Sequence, residues 1–156
     1  MNDYVQTLRQ SISTSLIHLP GVRALIFNDQ EEILLQRRRD MDFWGLPAGA
    51  VELGESVLEA LKREVAEETS LRVVTAEPMA LYSGPSQRFQ YSNGDEVQCF
   101  SVAFIVHQWQ GRPHADGVEG SEVKFFSLTQ LPGNLVPIHQ RTIKDYEKYN
   151  GTLLIL

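Results

Sequence analysis

Residues 49–71 read GAVELGESVLEALKREVAEETSL. Ser56 stands just before an apolar-periodic run and Glu59 follows three residues on, the capping-box spacing in which each side chain satisfies the other's free backbone N–H. The spacing predicts a helix beginning near Ser56. At 3.6 residues per turn, Val57, Leu58, Leu61 and Val65 gather on one side, and Glu64, Glu67 and Glu68 on the side next to it. Like charges so placed destabilise a helix by about 0.2–0.5 kcal/mol per pair, so something positive has to offset them. Mg²⁺ or Mn²⁺ suits the three carboxylates, because a hard cation takes oxygen ligands and bridges them to substrate phosphates. Zn²⁺ suits them less, with no Cys or His nearby. Most glutamates on amphipathic helices simply face water, and the triple alone does not set itself apart from that.

On either side of this segment the chain has ordinary globular composition. Its 156 residues fit one domain, and 42% hydrophobic with 22% charged residues exclude a disordered or fibrous chain. A net charge of -6 argues against an extended nucleic-acid surface and leaves nucleotides to a local arginine cluster or a metal. Cys99 is the only cysteine and lies in an apolar run, which excludes a disulfide framework and predicts a buried thiol in a reducing compartment. No apolar run approaches the ~20 residues of a membrane span, and the start MNDYVQTLRQS has no signal core, so a cytoplasmic location is expected.

Val5, Leu8 and Ile12 have helical spacing, which predicts a short amphipathic helix over 3–12 and an N-terminal extension over 1–18, packed on the domain or on a partner such as a second copy in a homodimer. Residues 19–156 form the domain proper. Apolar runs at 21–27 and 32–36 read as two strands around the turn Asn28-Asp29-Gln30, and residues 44–49, rich in turn formers, as a loop. A strand is expected at 72–74. Asn93-Gly94-Asp95 between 89–92 and 96–106 is a strong hairpin signal. Another strand at 123–127 and a last helix from Pro137 to Tyr149 complete the pattern.

The wider order around the glutamates is more telling than the triple itself. Gly49, Glu55, Arg63, Glu64, Val65, Glu67, Glu68 and Leu71 stand as G-x5-E-x7-R-E-U-x-E-E-x-x-U, with U apolar, an arrangement expected by chance on the order of once in a million such chains. This segment resembles the Nudix box. The resemblance implies an α/β fold, a Nudix-type α/β/α sandwich with a mixed β-sheet, here with an extra N-terminal helix. It further implies metal-dependent hydrolysis of a phosphoanhydride in a nucleoside diphosphate linked to another moiety, of nucleotide-sugar or ADP-ribose type. Nucleoside triphosphates, oxidised ones included, are the alternative substrates. A non-catalytic nucleotide-sensing or protein-binding module is the alternative of another class, against which the intact Arg63, Glu64, Glu67 and Glu68 weigh. By resemblance, Glu64, Glu67, Glu68 and the Ala48 carbonyl hold Mg²⁺, or Mn²⁺ in its place. Arg63 orients a carboxylate of the helix and Glu55 supports the site. Ser70 departs from the family pattern where the box has glycine, and Ala48 replaces the first glycine of a Gly-Gly pair.

A base must also take a proton from water, and the loop Asp116-Gly117-Val118-Glu119-Gly120-Ser121-Glu122 supplies candidates. Glu119 best matches the family's additional acid, as base or metal ligand. Glu122 is the second choice, and a merely solvated acidic loop the bland reading. Arg37 and Arg38, at the end of a strand, are candidate phosphate ligands. Trp44, with Tyr82, Phe89 and Tyr91, is a candidate for stacking on a base, although aromatics near strands more often pack in cores. The four histidines are dispersed without metal-ligand spacing, and no serine has an evident His/Asp partnership.

Overall fold

The computed structural model describes residues 3–156, the side chain of Asp3 excepted. The first two residues of the expected 1–18 extension lie outside them. The elements follow in the order α1 (Asp3–Ile12), β1 (Ile17–Ile26), β2 (Ile33–Arg38), β3 (Trp44–Gly45), β4 (Ala48–Ala50), α2 (Val57–Thr69), β5 (Arg72–Tyr82), β6 (Arg88–Gln90), β7 (Glu96–Gln110), β8 (Gly120–Phe126), α3 (Pro137–Tyr146) and β9 (Leu154–Ile155). A mixed sheet runs β4-β1-β7-β5-β9 with β6 also on β7, and a smaller sheet runs β3-β2-β8. β1 and β7 are parallel from Ile17↔Val97 to Ile26↔Val106, and the Asn93-Gly94 hairpin pairs Gln90 with Glu96.

Alternation along the strands builds two cores, which is why their sequences read as continuous apolar runs. Val22, Ala24 and Ile26 of β1 join Leu34, Phe104 and Val106 beneath Ala60, Leu61 and Val65 of α2. The intervening Leu25, with Ile33, Leu35, Ala103 and Ile105, packs with Ile143 of α3. The result is the α/β/α sandwich expected from the sequence.

The two strands around Asn28-Asp29-Gln30 are joined by a turn as expected, but they pair only through an isolated Phe27↔Ile33 bridge and belong to different sheets, because each finds a longer partner elsewhere. Two local expectations need correction. Residues 44–49 are not wholly loop, since two short strands form there on β2 and β1. Val57 and Leu58 do not join the core and are about 40% exposed. The first turn of α2 is held instead by its cap, with Ser56 accepting from the Glu59 N–H and Glu59 accepting from the Ser56 N–H.

A buried arginine keys α3 to the sheet. Arg23 of β1 donates to Thr142 Oγ1 (2.9 Å), Gln87 Oε1 (2.7 Å) and the Ile138 carbonyl (3.3 Å), and lies 4.9 Å from the centre of the Tyr82 ring. Burial pulls its pKa down, and these acceptors offset the cost of a charge out of water. The Tyr82 hydroxyl donates to Asp145 (2.8 Å), while His139 Nδ1 accepts from the Leu46 N–H (3.1 Å). Through Leu46, this layer fixes the backbone entering β4.

Ser70 ends α2 in the left-handed conformation, φ 62°. That conformation costs an L-residue roughly 1–2 kcal/mol, of which the larger unfolded freedom of glycine returns about half. Ser70→Gly is therefore expected to stabilise the protein by about 0.5–1 kcal/mol, read as a higher urea midpoint at unchanged slope. A lower midpoint would show that the 3.4 Å contact from Ser70 Oγ to the His114 carbonyl outweighs the strain.

Candidate active site

Leu61 and Val65 are buried against the sheet, so the helical period turns Glu64 and Glu68 inward along the edge of α2 that meets β4. The approach is close: a Cβ at Gly49 would fall on the Glu64 carboxylate. β4 pairs with β1 at Val22↔Gly49, flanked by Ala24 N–H to Pro47 O and Val51 N–H to Pro20 O, each 2.9 Å. In such a ladder alternate residues turn their peptide groups away from the partner strand. Ala48 and Ala50 accordingly face α2. The Ala48 N–H donates to Glu68 Oε2 (2.9 Å), and the Ala50 carbonyl accepts from Arg63 Nη2 (2.9 Å). The Ala48 carbonyl lies on the same free edge.

Arg63 organises the acids. Its Nε and Nη2 donate to the two oxygens of Glu55 (2.6 and 2.9 Å), and its Nη1 to Glu64 (2.7 Å) and Glu67 (3.3 Å). The hydrogen bonds from Arg63 hold the Glu55 carboxyl below its ordinary range, and the bonds to Glu55 raise the Arg63 guanidinium. Glu64 behaves oppositely. Desolvation pushes it up to about 7 despite Arg63, with the charges of Glu119 and Glu67 adding to the rise. Glu68, only 2% exposed, is also raised well above its ordinary value, by burial first and by the charge of Glu64 second. Gln36, buried beside Glu68, and the Ala48 N–H oppose that rise.

Arg63, Glu64 and Glu67 lie along a cleft of about 640 Å³ whose lining also includes Ala48, Arg38, Arg39 and Glu119, while Glu68 is buried behind it. Glu119 thus comes to the box helix across a long sequence separation, and its charge is felt at both Glu64 and Glu68. Glu122 pairs in register with Arg37 on β8, exposed and away from the cleft lining. Among the described residues no three acidic, His or Cys side chains converge closely enough to close a cation site by themselves, since Arg63 occupies oxygens of Glu64 and Glu67. The donor set nevertheless fits a hard cation. Two carboxylates are held side by side nearly out of water, short of positive charge, next to an outward-facing backbone carbonyl.

Two expected substrate contacts are placed elsewhere. Arg37 points to Asp42, with Nη2 2.6 Å from its carboxylate, and is absent from the cleft lining, as strand alternation requires of the neighbour of Arg38. Trp44 is buried in the α3-side core, edge-on to Phe126 at 4.8 Å, because β3 pairing and the Leu135 bridge draw it inward. Arg38 does face the cleft, paired with Asp40 (2.9 Å) and 5.9 Å from the ring centres of both Phe89 and Tyr91. Those rings, with Arg38, Arg23, Cys99 and His139, line an adjoining recess of about 70 Å³. Cys99 is half-buried there rather than sealed in the core. The sequence reading passed over Arg39, although it closes the run of three arginines, and over Arg9 of α1, which also lines the cleft. Arg9 ties α1 to the sheet by donating to the carbonyls of Ser13, Ser15 and Glu96.

A NUDIX domain model matches residues 17–146. The chain is 33% identical over 131 residues to the provisionally named 8-oxo-dGTP diphosphatase of Bacillus subtilis (strain 168), covering 84% of this chain and 81% of that one. It is 35% identical over 129 residues to the ADP-ribose pyrophosphatase of Methanocaldococcus jannaschii, covering 81% and 72%. The NUDIX domain of Shewanella oneidensis NrtR, solved with ADP ribose, superposes with a TM-score of 0.70 at 21% identity over 95% of this chain and 98% of that one, a likeness of fold alone. No helix among the described residues is long and apolar enough to cross a membrane. With the box, the sandwich and the domain match coinciding on the same residues, the chain belongs to the Nudix family and is a pyrophosphohydrolase that cuts acid anhydrides in phosphorus-containing substrates.

Proposed function

We propose that the protein hydrolyses the phosphoanhydride of a nucleoside diphosphate linked to another moiety, with Mg²⁺ as cofactor and Mn²⁺ as a substitute. The observation that carries this reading is Glu64 at one side of a cleft that also presents Arg38 and Arg39, with Glu68 buried one helical turn further along α2. Glu64, Glu67, Glu68, Glu119 and the Ala48 carbonyl would hold the cation. Bound there, it would neutralise phosphate charge, acidify water and steady the leaving oxygen. Arg63, anchored on Glu55 and Ala50, positions the carboxylates of Glu64 and Glu67 and limits their repulsion. Arg38 and Arg39 face the cleft where a diphosphate would lie, and forked guanidinium donors match its oxygens. Glu119 takes the proton from the attacking water or adds a ligand to the cation. The recess lined by Phe89 and Tyr91 offers the nucleobase an aromatic wall. The name of the Bacillus relative favours a second reading, hydrolysis of triphosphates including oxidised ones.

One panel separates the two. ADP-ribose, nucleotide sugars, dinucleoside polyphosphates, ordinary and oxidised triphosphates and capped RNA are compared with Mg²⁺, with Mn²⁺ and with chelator. The expected result is highest kcat/KM on a diphosphate-linked substrate and loss of all turnover with chelator. Preference for a triphosphate supports the second reading, and full activity without metal contradicts the mechanism.

Stability should report the buried acids directly. A carboxyl whose folded pKa lies above its unfolded value favours folding while protonated. Its contribution is full below the ordinary 4.5 and is lost as pH rises through about 7 for Glu64. The metal-free parent is thus expected to lose stability relative to Glu64→Gln between about pH 5 and 7, measured by urea unfolding of both proteins. Parallel curves would contradict the burial of an uncompensated charge.

A further inference from the structure

Glu119 reaches the cleft against the repulsion of Glu64 and Glu68, whose protonation its charge favours. Left to itself, a short exposed loop in that field relaxes away from α2. The structure shows what restrains it. Asp116 Oδ1 accepts the N–H groups of Val118 (2.9 Å), Glu119 (3.1 Å) and Gly120 (3.0 Å), and Oδ2 accepts a second bond from the Glu119 N–H (3.2 Å). Gly117, at φ 76°, lets the chain fold back over the carboxylate, and its N–H closes the loop on the Gly120 carbonyl (3.1 Å). The Glu119 carbonyl accepts from the Arg39 N–H (3.0 Å), joining the loop to the strand end that carries the cleft arginines. Asp116 itself is exposed and belongs to none of the hydrophobic clusters, so its three backbone contacts do not serve the core.

We propose that Asp116 is a positioning residue for the hydrolysis, holding the backbone of Val118–Gly120 so that the Glu119 carboxylate stays at the acidic edge of α2. The inference rests on the reading of Glu119 as base or metal ligand. It assigns Asp116 no contact with substrate or metal. The Oδ1 acceptor, not the charge, carries the function, so asparagine, which keeps the three bonds to Oδ1 and gives up only the 3.2 Å bond to Oδ2, substitutes for it and alanine does not.

Four proteins test this in one experiment: Asp116→Ala, Asp116→Asn, Glu119→Gln and the double variant Asp116→Ala/Glu119→Gln. Losing a general base costs about 10²-fold, and a displacement of about 1 Å costs up to a similar factor. Glu119→Gln should lower kcat by roughly 10²-fold, and Asp116→Ala by roughly tenfold or more with KM within about threefold of the parent. The double variant should be no slower than Glu119→Gln beyond about threefold, because a misplaced group that is already absent cannot be lost again. Asp116→Asn should stay within about threefold of the parent. A readout independent of turnover is amide hydrogen exchange in the metal-free proteins. Asp116→Ala should deprotect Val118, Glu119 and Gly120 selectively, while Asp116→Asn keeps their protection. A parent-like Glu119→Gln overturns the reading of Glu119 and this inference with it. If Glu119→Gln is crippled, then a parent-like Asp116→Ala, effects that multiply in the double variant, or an Asp116→Asn as slow as Asp116→Ala overturns the positioning role alone.

Discussion

Glu64 and Glu68 sit one helical turn apart, both nearly withdrawn from water, and the Arg63 guanidinium bonds Glu64 together with Glu55 and Glu67 but not Glu68. Its reach is unequal. It grips Glu55 with two bonds and keeps that carboxyl acidic, yet burial still carries Glu64 up to about 7 and Glu68 beyond the ordinary carboxylate range. A protein that merely sought stability would gain by replacing such a cluster with apolar side chains. Such a cluster is what the proposed cation site requires.

The remaining architecture keeps these groups from escaping one another. Leu61 and Val65 anchor the acidic edge of α2 by packing its other side into the sheet. Gly49 lets β4 come so near that no larger residue fits beneath Glu64. β4 is in turn fixed by β1 on one side and, through Leu46 and His139, by α3 on the other. The buried Arg23 layer, in which Arg23 pairs in register with Ala48, therefore contributes to the site by keeping the strand that bears Ala48 and Gly49 in place. The tolerance of the chain for Ser70 in a left-handed cap follows the same logic, since α2 is held along its length by packing and does not depend on an ideal end.

Features governed by local periodicity were legible in the sequence. The Ser56/Glu59 cap, the inward set of Glu64 with Glu68, and the Asn93-Gly94 hairpin depend on neighbours within a turn or two. The α/β/α order was legible through the box and its resemblance. Features set by distant pairing were not. The parallel match of β1 with β7 joins residues about 80 apart in the chain, and no local signal distinguishes it from a hairpin of β1 with β2. Trp44 stood as a candidate stacking group beside the commoner core-packing alternative, because its core partners, Leu135 and Phe126, come from far downstream. Alternation alone shows that Arg37 and Arg38 cannot both face the cleft, and the structure shows that Arg38 is the one that does. The bulge between Arg37 and Arg38, opposite Gly120, is a feature the sequence does not announce. Glu119 was found by its match to a family position, whereas Asp116, three residues before it, emerged only once its hydrogen bonds were seen.

The central claim is that two buried carboxyls, whose burial favours their protonated forms when no metal is bound, become ligands when a divalent cation arrives. Calorimetric titration of the metal-free protein with Mg²⁺ at about pH 6.5, repeated in buffers of different ionisation enthalpy, counts the protons that leave on binding. The account predicts net proton release on binding in the parent, reduced in Glu64→Gln and in Glu68→Gln. Binding of Mg²⁺ with no proton release would mean that the carboxyls of α2 are already ionised, and would contradict the account at its root.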